Sequence, residues 1–176
     1  MRKLSHEELQ ARQVNRQPSL PLTLVLNNIR SLYNVGSIFR TADGAGVEKI
    51  WMCGITGIPP DNQISKTALG AEKEVPWEYC GDAKICVQKL RAQGYKIILL
   101  EQTAESIPYE NYEPDGKVCL VLGNEIGGVS ESLLPYTDQA IEIEMAGLKN
   151  SLNVSVAFGV IAYHIRALMK KRMNVQ

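Results

Sequence analysis

The stretch Leu148–Arg166, LKNSLNVSVAFGVIAYHIR, decides how the chain is read. It opens with the polar run Lys149-Asn150-Ser151 and passes through Leu152 and Asn153. From Val154 its apolar residues fall at helical spacing: Val154, Ala157, Ile161, Ile165 and Leu168. That period predicts an amphipathic helix, with Asn153 or Ser151 placed to cap its first turn. A second stripe, Ser155, Gly159 and Ala162, consists of small residues on another face, where a second backbone can come close. Alone, the stretch fits a C-terminal helix packed on a sheet. Two earlier stretches, Asn28–Arg40 (NIRSLYNVGSIFR) and Leu122–Ser130 (LGNEIGGVS), share its concentration of polar residues that a fold does not need.

The rest of the chain alternates strands and helices. Ser5 to Arg16 is expected to be helical, with Ser5 and Glu8 at capping-box spacing and Pro18 and Pro21 beyond its end. Leu22–Leu26 is a continuous apolar run and reads as a buried strand. A helix over Val35–Ala42 is expected to stop at Gly44 and Gly46, and Lys49–Cys53 is a second strand. Lys66–Glu72 reads as a short helix, and Asp82–Gln93 as a longer one capped by Asp82 and ended by Gly94. Lys96–Leu100, Lys117–Leu122 and Ala140–Ile143 read as strands, and Tyr109–Asp115 as loop. This order predicts an α/β domain with a mostly parallel sheet. With 176 residues the chain is one domain, divided into a helical extension (1–20), a core domain (21–170) and a basic tail (171–176).

Composition is that of an ordinary globular protein, 45% hydrophobic and 22% charged. The four cysteines contain no C-x-x-C pair and the two histidines are far apart, so no zinc site is expected and the thiols read as free. No apolar run has membrane-spanning length, and the N-terminus is too polar for a signal peptide. A cytoplasmic protein without a membrane partner follows as the expectation. Net charge is zero but uneven: residues 51–145 hold seven basic and fifteen acidic side chains, residues 146–176 five basic and none acidic. Lys170, Lys171 and Arg172 are either part of a positive face for a polyanion or a solvated tail.

All three polar stretches follow the carboxyl ends of expected strands, where open α/β sheets bind ligands. Meeting on one edge, they would form one site. No G-x-G-x-x-G follows a strand and no G-x-x-x-x-G-K-[ST] is present, which argues against a dinucleotide fold or a P-loop. Glu125 either accepts backbone N–H bonds within its loop or acts at the ligand. Arg30 and Arg40 offer forked donors matched to phosphate or to surface carboxylates. His164, Trp51 and Trp77 read as packing residues.

Together, NIRSLYNVGSIFRTADGAGV, LVLGNEIGGVS and IEIEMAGLKNSLNVSVAFGVIAYHI resemble, in order and spacing, the three motifs of the SpoU-type RNA ribose methyltransferases of the SPOUT superfamily. The resemblance implies 2′-O-methylation of RNA, tRNA ahead of rRNA, with S-adenosylmethionine as donor and no metal. It also implies a deep trefoil knot in the C-terminal part of the sheet and a homodimer with its site at the interface. By position, Asn28, Arg30, Asn34, Gly36 and Arg40 match the first motif, Gly123 and Glu125 the second, and Ser151, Leu152 and Asn153 the third. The implied catalytic set is Arg40, Asn34, Glu125, Ser151 and Asn153. The implied donor contacts are Glu101, Gln102, Gly123, Ile143, Met145, Ser151 and Leu152. Arg30, Arg40, Lys170, Lys171 and Arg172 are the implied RNA contacts. Glu144 stands where the family usually has proline, and Ile126 where it often has glycine. A non-catalytic RNA-binding dimer and a small-molecule nucleotide-binding domain are the competing readings.

Overall fold

The computed structural model describes residues 1–5, 7–9, 11 and 20–173. Seven strands form one sheet: β1 (Leu20–Asn27), β2 (Val47–Cys53), β3 (Trp77–Cys80), β4 (Tyr95–Leu100), β5 (Ile107–Pro108), β6 (Lys117–Leu122) and β7 (Gln139–Glu142). The α-helices that pack with them are α1 (Leu32–Ala45), α2 (Asn62–Ala68), α3 (Ala71–Glu74), α4 (Ala83–Ala92) and α5 (Val154–Met173). The strand order is β3-β2-β1-β6-β4-β7-β5, and every pairing is parallel.

Strand alternation divides the interior into two cores. Leu22, Leu24 and Leu26 of β1, Ile50 and Met52 of β2, and Val118, Leu120 and Leu122 of β6 face one side, under α1, α2 and α5. Val25, Trp51, Cys53, Ile97, Leu99, Cys119 and Val121 face the other, under α4 and a 3-10 turn at Glu131–Tyr136. Thr23 is the one polar side chain buried within β1 before its terminal Asn27, and its hydroxyl donates to the Lys49 carbonyl at 2.8 Å. A strand with both faces covered has to be apolar along its length, which is why LTLVL was readable.

Several expectations need correction. The first helix begins at Leu32, because Ser31 Oγ accepts from the Asn34 N–H at 3.3 Å and caps it there. It ends at Gly46, in the left-handed conformation with φ 74°, while Gly44 lies inside the helix. The single helix expected over Lys66–Glu72 is two, interrupted where Leu69 (φ 52°) and Gly70 (φ 95°) leave the helical region. The edge strands β3 and β5 were not expected; they are short and only partly buried, so neither shows a run of apolar residues. Near the N-terminus the Ser5 N–H donates to Glu8 and the Glu8 N–H to Ser5 Oγ, a reciprocal capping box. Most of the expected helix beyond it falls on residues 6, 10 and 12–19, outside the described ones.

The decisive helix, α5, is capped by Asn153, whose Oδ1 accepts from the Ser155 N–H at 2.9 Å. Its buried face is Phe158, Ile161, Ala162, Ile165 and Met169. Only Ile161 and Ile165 belong to the expected stripe; Val154, Ala157 and Leu168 are half-buried at its margin. The bulk of Phe158 turns the helix so that this ring fills the core, and Ala162 goes with it. Ala162 is therefore core, not part of an outward small-residue stripe. Val156, Val160 and Tyr163 are exposed on the opposite side. Lys170, Lys171 and Arg172 occupy the last turn, where cations oppose the helix dipole.

This packing predicts that Phe158→Ala lowers unfolding free energy by about 3–5 kcal/mol. Leu168→Ala, at the margin, should cost clearly less. Urea denaturation of the two variants checks the rotation of the helix face, and equal losses would refute it.

Candidate active site

The first loop leaves β1 through two asparagines with separate tasks. Asn27 is buried, and its Oδ1 accepts from both the N–H (2.9 Å) and the hydroxyl (2.8 Å) of Ser130. Asn28 adopts a left-handed conformation (φ 62°), which asparagine tolerates better than most residues. Its Oδ1 accepts from the Ile55 N–H at 3.1 Å, and its carbonyl accepts from Asn124 Nδ2 at 2.8 Å. The end of β1 is thereby fastened to the loops after β2 and β6.

The second loop is a tight turn closed by two Asn124–Gly128 backbone bonds of 2.9 Å. Asn124 Oδ1 accepts from the N–H groups of Ile126 (2.9 Å) and Gly127 (3.0 Å), which leaves Glu125 at the tip. Gly123 is required at its base: a Cβ there would strike the backbone of Gly128 and Val129. Glu101, just past β4, supports the same turn by accepting from the Val129 N–H at 2.9 Å.

Glu125 points at the beginning of α1. Its carboxylate accepts from the N–H of Arg30 (3.2 Å), the N–H of Ser31 (3.2 Å) and Asn34 Nδ2 (3.0 Å). These are donors at a helix N-terminus, where negative charge is stabilised. Burial by itself raises the Glu125 pKa. The bonds from Asn34 and from backbone N–H groups, its own and those of Arg30 and Ser31, outweigh it, and the net shift is downward. Asn34 Oδ1 in turn accepts from Asn153 Nδ2 at 3.1 Å. One chain of hydrogen bonds thus joins all three polar stretches. The third loop is also held by Gln102, whose Nε2 donates to the Asn150 carbonyl at 2.7 Å.

These loops surround a cleft of about 490 Å³ at the carboxyl ends of β4, β6 and β7. Glu101, Gln102, Gly123, Ile143, Met145, Ser151 and Leu152 all line it, as do Glu125 and Asn153. Asn34 stands behind, bonded to both. Arg40 is not in the lining; it is exposed on α1, and its guanidinium has no hydrogen bond or ion pair among the described residues. Arg30 is exposed and reaches the site through its backbone N–H alone. Lys170 and Lys171 lie at the far end of α5, and the neighbouring Arg172 bonds to the Pro114 carbonyl and Glu113. Gly36 holds α1 against α2: a Cβ there would strike the Ile64 carbonyl and the Thr67 hydroxyl.

Sequence reasoning missed two contributors. Asn124 sits inside the second motif as already quoted, and its turn-forming amide was the available signal. Glu142 lines the cleft beside Ser106, whose hydroxyl donates to it at 2.6 Å. Nothing distinguished it from Glu144 by pattern. With Glu142 the lining holds three carboxylates, Glu101, Glu125 and Glu142, and no lysine, arginine or histidine. The cleft walls at Leu100, Leu122, Ile143 and Leu152 are apolar. A mixed apolar and acidic cleft suits a flat organic group attached to a cation.

Because folding lowers the Glu125 pKa, its stabilising contribution is complete above the unfolded value, about 4.3 for an ordinary glutamate, and is lost as pH falls through the lower folded value. Glu125→Gln should therefore melt below the unmodified protein at pH 7, with the gap closing toward pH 3. A thermal-shift series across that range measures it, and a gap independent of pH would contradict the assignment.

With this geometry in place, comparison with known proteins is direct. Residues 21–163 match the SpoU rRNA Methylase family. An Escherichia coli (strain K12) protein named tRNA (guanosine(18)-2′-O)-methyltransferase is 30% identical over 165 residues, covering 90% of this chain and 66% of that one. The crystal structure of the A. aeolicus TrmH/SpoU tRNA modifying enzyme superposes with a TM-score of 0.82 at 26% identity, covering 93% of this chain and 83% of that one. An AdoMet-bound rRNA methyltransferase from Sinorhizobium meliloti gives 0.78 at 26% identity, covering 83% and 56%. The chain spans about two thirds of the length of the curated relatives it matches, 64% to 66%. The sheet, the three loops and the match over most of the chain agree, and the deep knot expected of the C-terminal part follows from the family rather than from strand order: the chain belongs to the SpoU rRNA Methylase family.

Proposed function

We propose that this protein transfers a methyl group from S-adenosylmethionine to a ribose 2′-hydroxyl of RNA, tRNA ahead of rRNA, acting as a cytoplasmic homodimer. The observation that carries this reading is the convergence of three motif loops on one acidic, apolar-walled cleft. The name of the Escherichia coli relative supports ribose methylation of tRNA. When bound, S-adenosylmethionine supplies an electrophilic methyl group on a sulfonium cation. Glu101, Glu125 and Glu142 give the cleft the sign that such a cation requires. Leu100, Leu122, Ile143 and Leu152 supply the apolar wall for its adenine, and Gln102, Gly123, Met145 and Ser151 the remaining contacts.

The ribose hydroxyl is a weak nucleophile near neutral pH and gains charge as it attacks. Arg40 is assigned to stabilise that alkoxide and to hold an adjacent phosphate, because a guanidinium stays protonated and is a poor base. Its free guanidinium, away from the cleft of its own protomer, fits a role across a dimer interface. Asn34, Glu125, Ser151 and Asn153 orient the reacting groups, with Glu125 kept anionic by the α1 N-terminus. Arg30, Lys170, Lys171 and Arg172 are assigned to RNA phosphates; Arg172 must exchange Glu113 and Asp115 for the nucleic acid.

The dimer surface is the outer face of α5. Val156, Val160 and Tyr163 are exposed there at helical spacing, and a Cβ at the adjacent Gly159 would meet nothing within 4 Å in the protomer. Gly159→Leu and Val160→Glu should leave the fold intact and weaken association at least tenfold, read by light scattering across a dilution series. A monomeric unmodified protein at micromolar concentration would end this part of the proposal.

Arg40→Ala should lower single-turnover methylation of total tRNA by roughly a hundredfold or more, as loss of a positioned charge stabiliser does. Affinity for S-adenosylmethionine, measured by calorimetry, should hardly change. Arg40→Lys should recover little, since an ammonium lacks the planar fork. A near-normal rate in the alanine variant would make Arg40 structural. RNA binding with no methyl transfer to any cellular RNA would favour a non-catalytic dimer.

A further inference from the structure

Outside the cleft, Cys53, Cys80 and Cys86 place their sulfurs within 4.8 Å of one another. Cys53 and Cys80 end β2 and β3 and are partners in register across the two strands. Cys86 lies in α4, which packs over them. Their intervals in sequence give no hint of this meeting. Cys53 and Cys86 are buried, whereas Cys80 is half-buried at the edge of the same core. Cys80 is therefore the most exposed of the three thiols. Nothing in the methyl-transfer reading uses any of them.

We propose that Cys80 and Cys86 are a reversible oxidation site that closes to a disulfide in the presence of a peroxide. The site stands independently of the methyl-transfer reading. The accessible thiol reacts first: the Cys80 thiolate attacks one peroxide oxygen, the O–O bond breaks, and Cys80 becomes a sulfenic acid as hydroxide leaves. The Cys86 thiolate then attacks the Cys80 sulfur. A sulfur–sulfur bond forms and the sulfenic oxygen leaves as hydroxide. The two hydroxides take up the two thiol protons, so two thiols and one hydrogen peroxide give one disulfide and two waters.

Cys86 suits the second step. Hydrogen bonding from the Cys53 thiol draws its pKa down; burial opposes this, and Cys80 and the Lys89 ammonium add to the lowering. Cys53 is pushed the other way, by its bond to Cys86 and by burial, which oppose its ionisation. A neutral disulfide also fits an apolar surround. A soft metal ion held by all three sulfurs would require the Cys53 thiol to ionise inside the same core, so the oxidation chemistry is favoured.

Trypsin cuts after Lys84, between the two cysteines, which makes the bond directly readable. The reduced full-length protein is treated with a few-fold excess of hydrogen peroxide, alkylated in denaturant, digested and mapped by mass spectrometry. The expected result is the loss of two of the four thiols. The Glu74–Lys84 peptide should be linked to Ile85–Lys89, and dithiothreitol should restore both thiols. In Cys86→Ser, Cys80 should run on to the sulfinic acid instead. In Cys53→Ser the Cys80–Cys86 link should persist. Four alkylated thiols after peroxide, a link through Cys53, a cross-link between copies, or near-stoichiometric zinc or copper blocking the reaction would each overturn the proposal. The mapping on the unmodified protein decides the matter even if a variant does not fold.

Discussion

Glu125 is held by donors that lie more than ninety residues earlier in the chain, at the N-terminus of α1. That carboxylate is the point on which the site depends. It ties the turn after β6 to the loop after β1, and Asn34 extends the tie to the cap of α5 through Asn153. Each partner serves two purposes. Asn153 caps a helix with one end of its amide and reaches Asn34 with the other. Glu125 satisfies two backbone N–H groups while remaining on the wall of the cleft. A site made from shared bonds is rigid without needing a dense core beneath it, and its members are expected to respond together rather than one by one.

The arrangement rests on strand order. β1, β6, β4 and β7 are adjacent in the sheet, so the loops after them emerge side by side although they are far apart in sequence. Parallel pairing sends all four carboxyl ends to the same edge. The last helix then closes one face of the sheet with Phe158, Ile161 and Ile165 while keeping Val156, Val160 and Tyr163 outside. A helix apolar on both sides has a weak amphipathic signal. Here that weakness reflects two packing duties, one inside the protomer and one proposed between protomers.

Much of this was legible because the informative residues are local. Apolar runs such as LTLVL and KVCLVL announce buried parallel strands, Asp82 announces a helix start, and the three polar loops follow strand ends. Pattern failed where tertiary packing chose between near-equal options. Helical spacing alone admits both Ala157 and Phe158 as the inward residue, and only the shape of the core selects the ring. The short edge strands lack a buried face to advertise them. Glu142 and the cysteine group are products of three-dimensional proximity, with no spacing rule behind them. The positions of Arg30 and Arg40 outside the protomer's own cleft belong to the same class.

The pairing of β1 with β6 has a consequence for how the protein is made. β1 is central and apolar, with β2 on one side and β6 on the other. During synthesis β2 is available almost at once, but about ninety residues separate the end of β1 from the start of β6. At roughly 5–20 residues per second, the open hydrogen-bonding edge of β1 waits on the order of 5–20 s for its partner. The nascent chain carries an unpaired hydrophobic strand edge for that interval, the feature that drives edge-to-edge association. Its folding yield should therefore depend on chaperone capacity and on translation speed between residues 28 and 122, more than on the stability of the finished sheet.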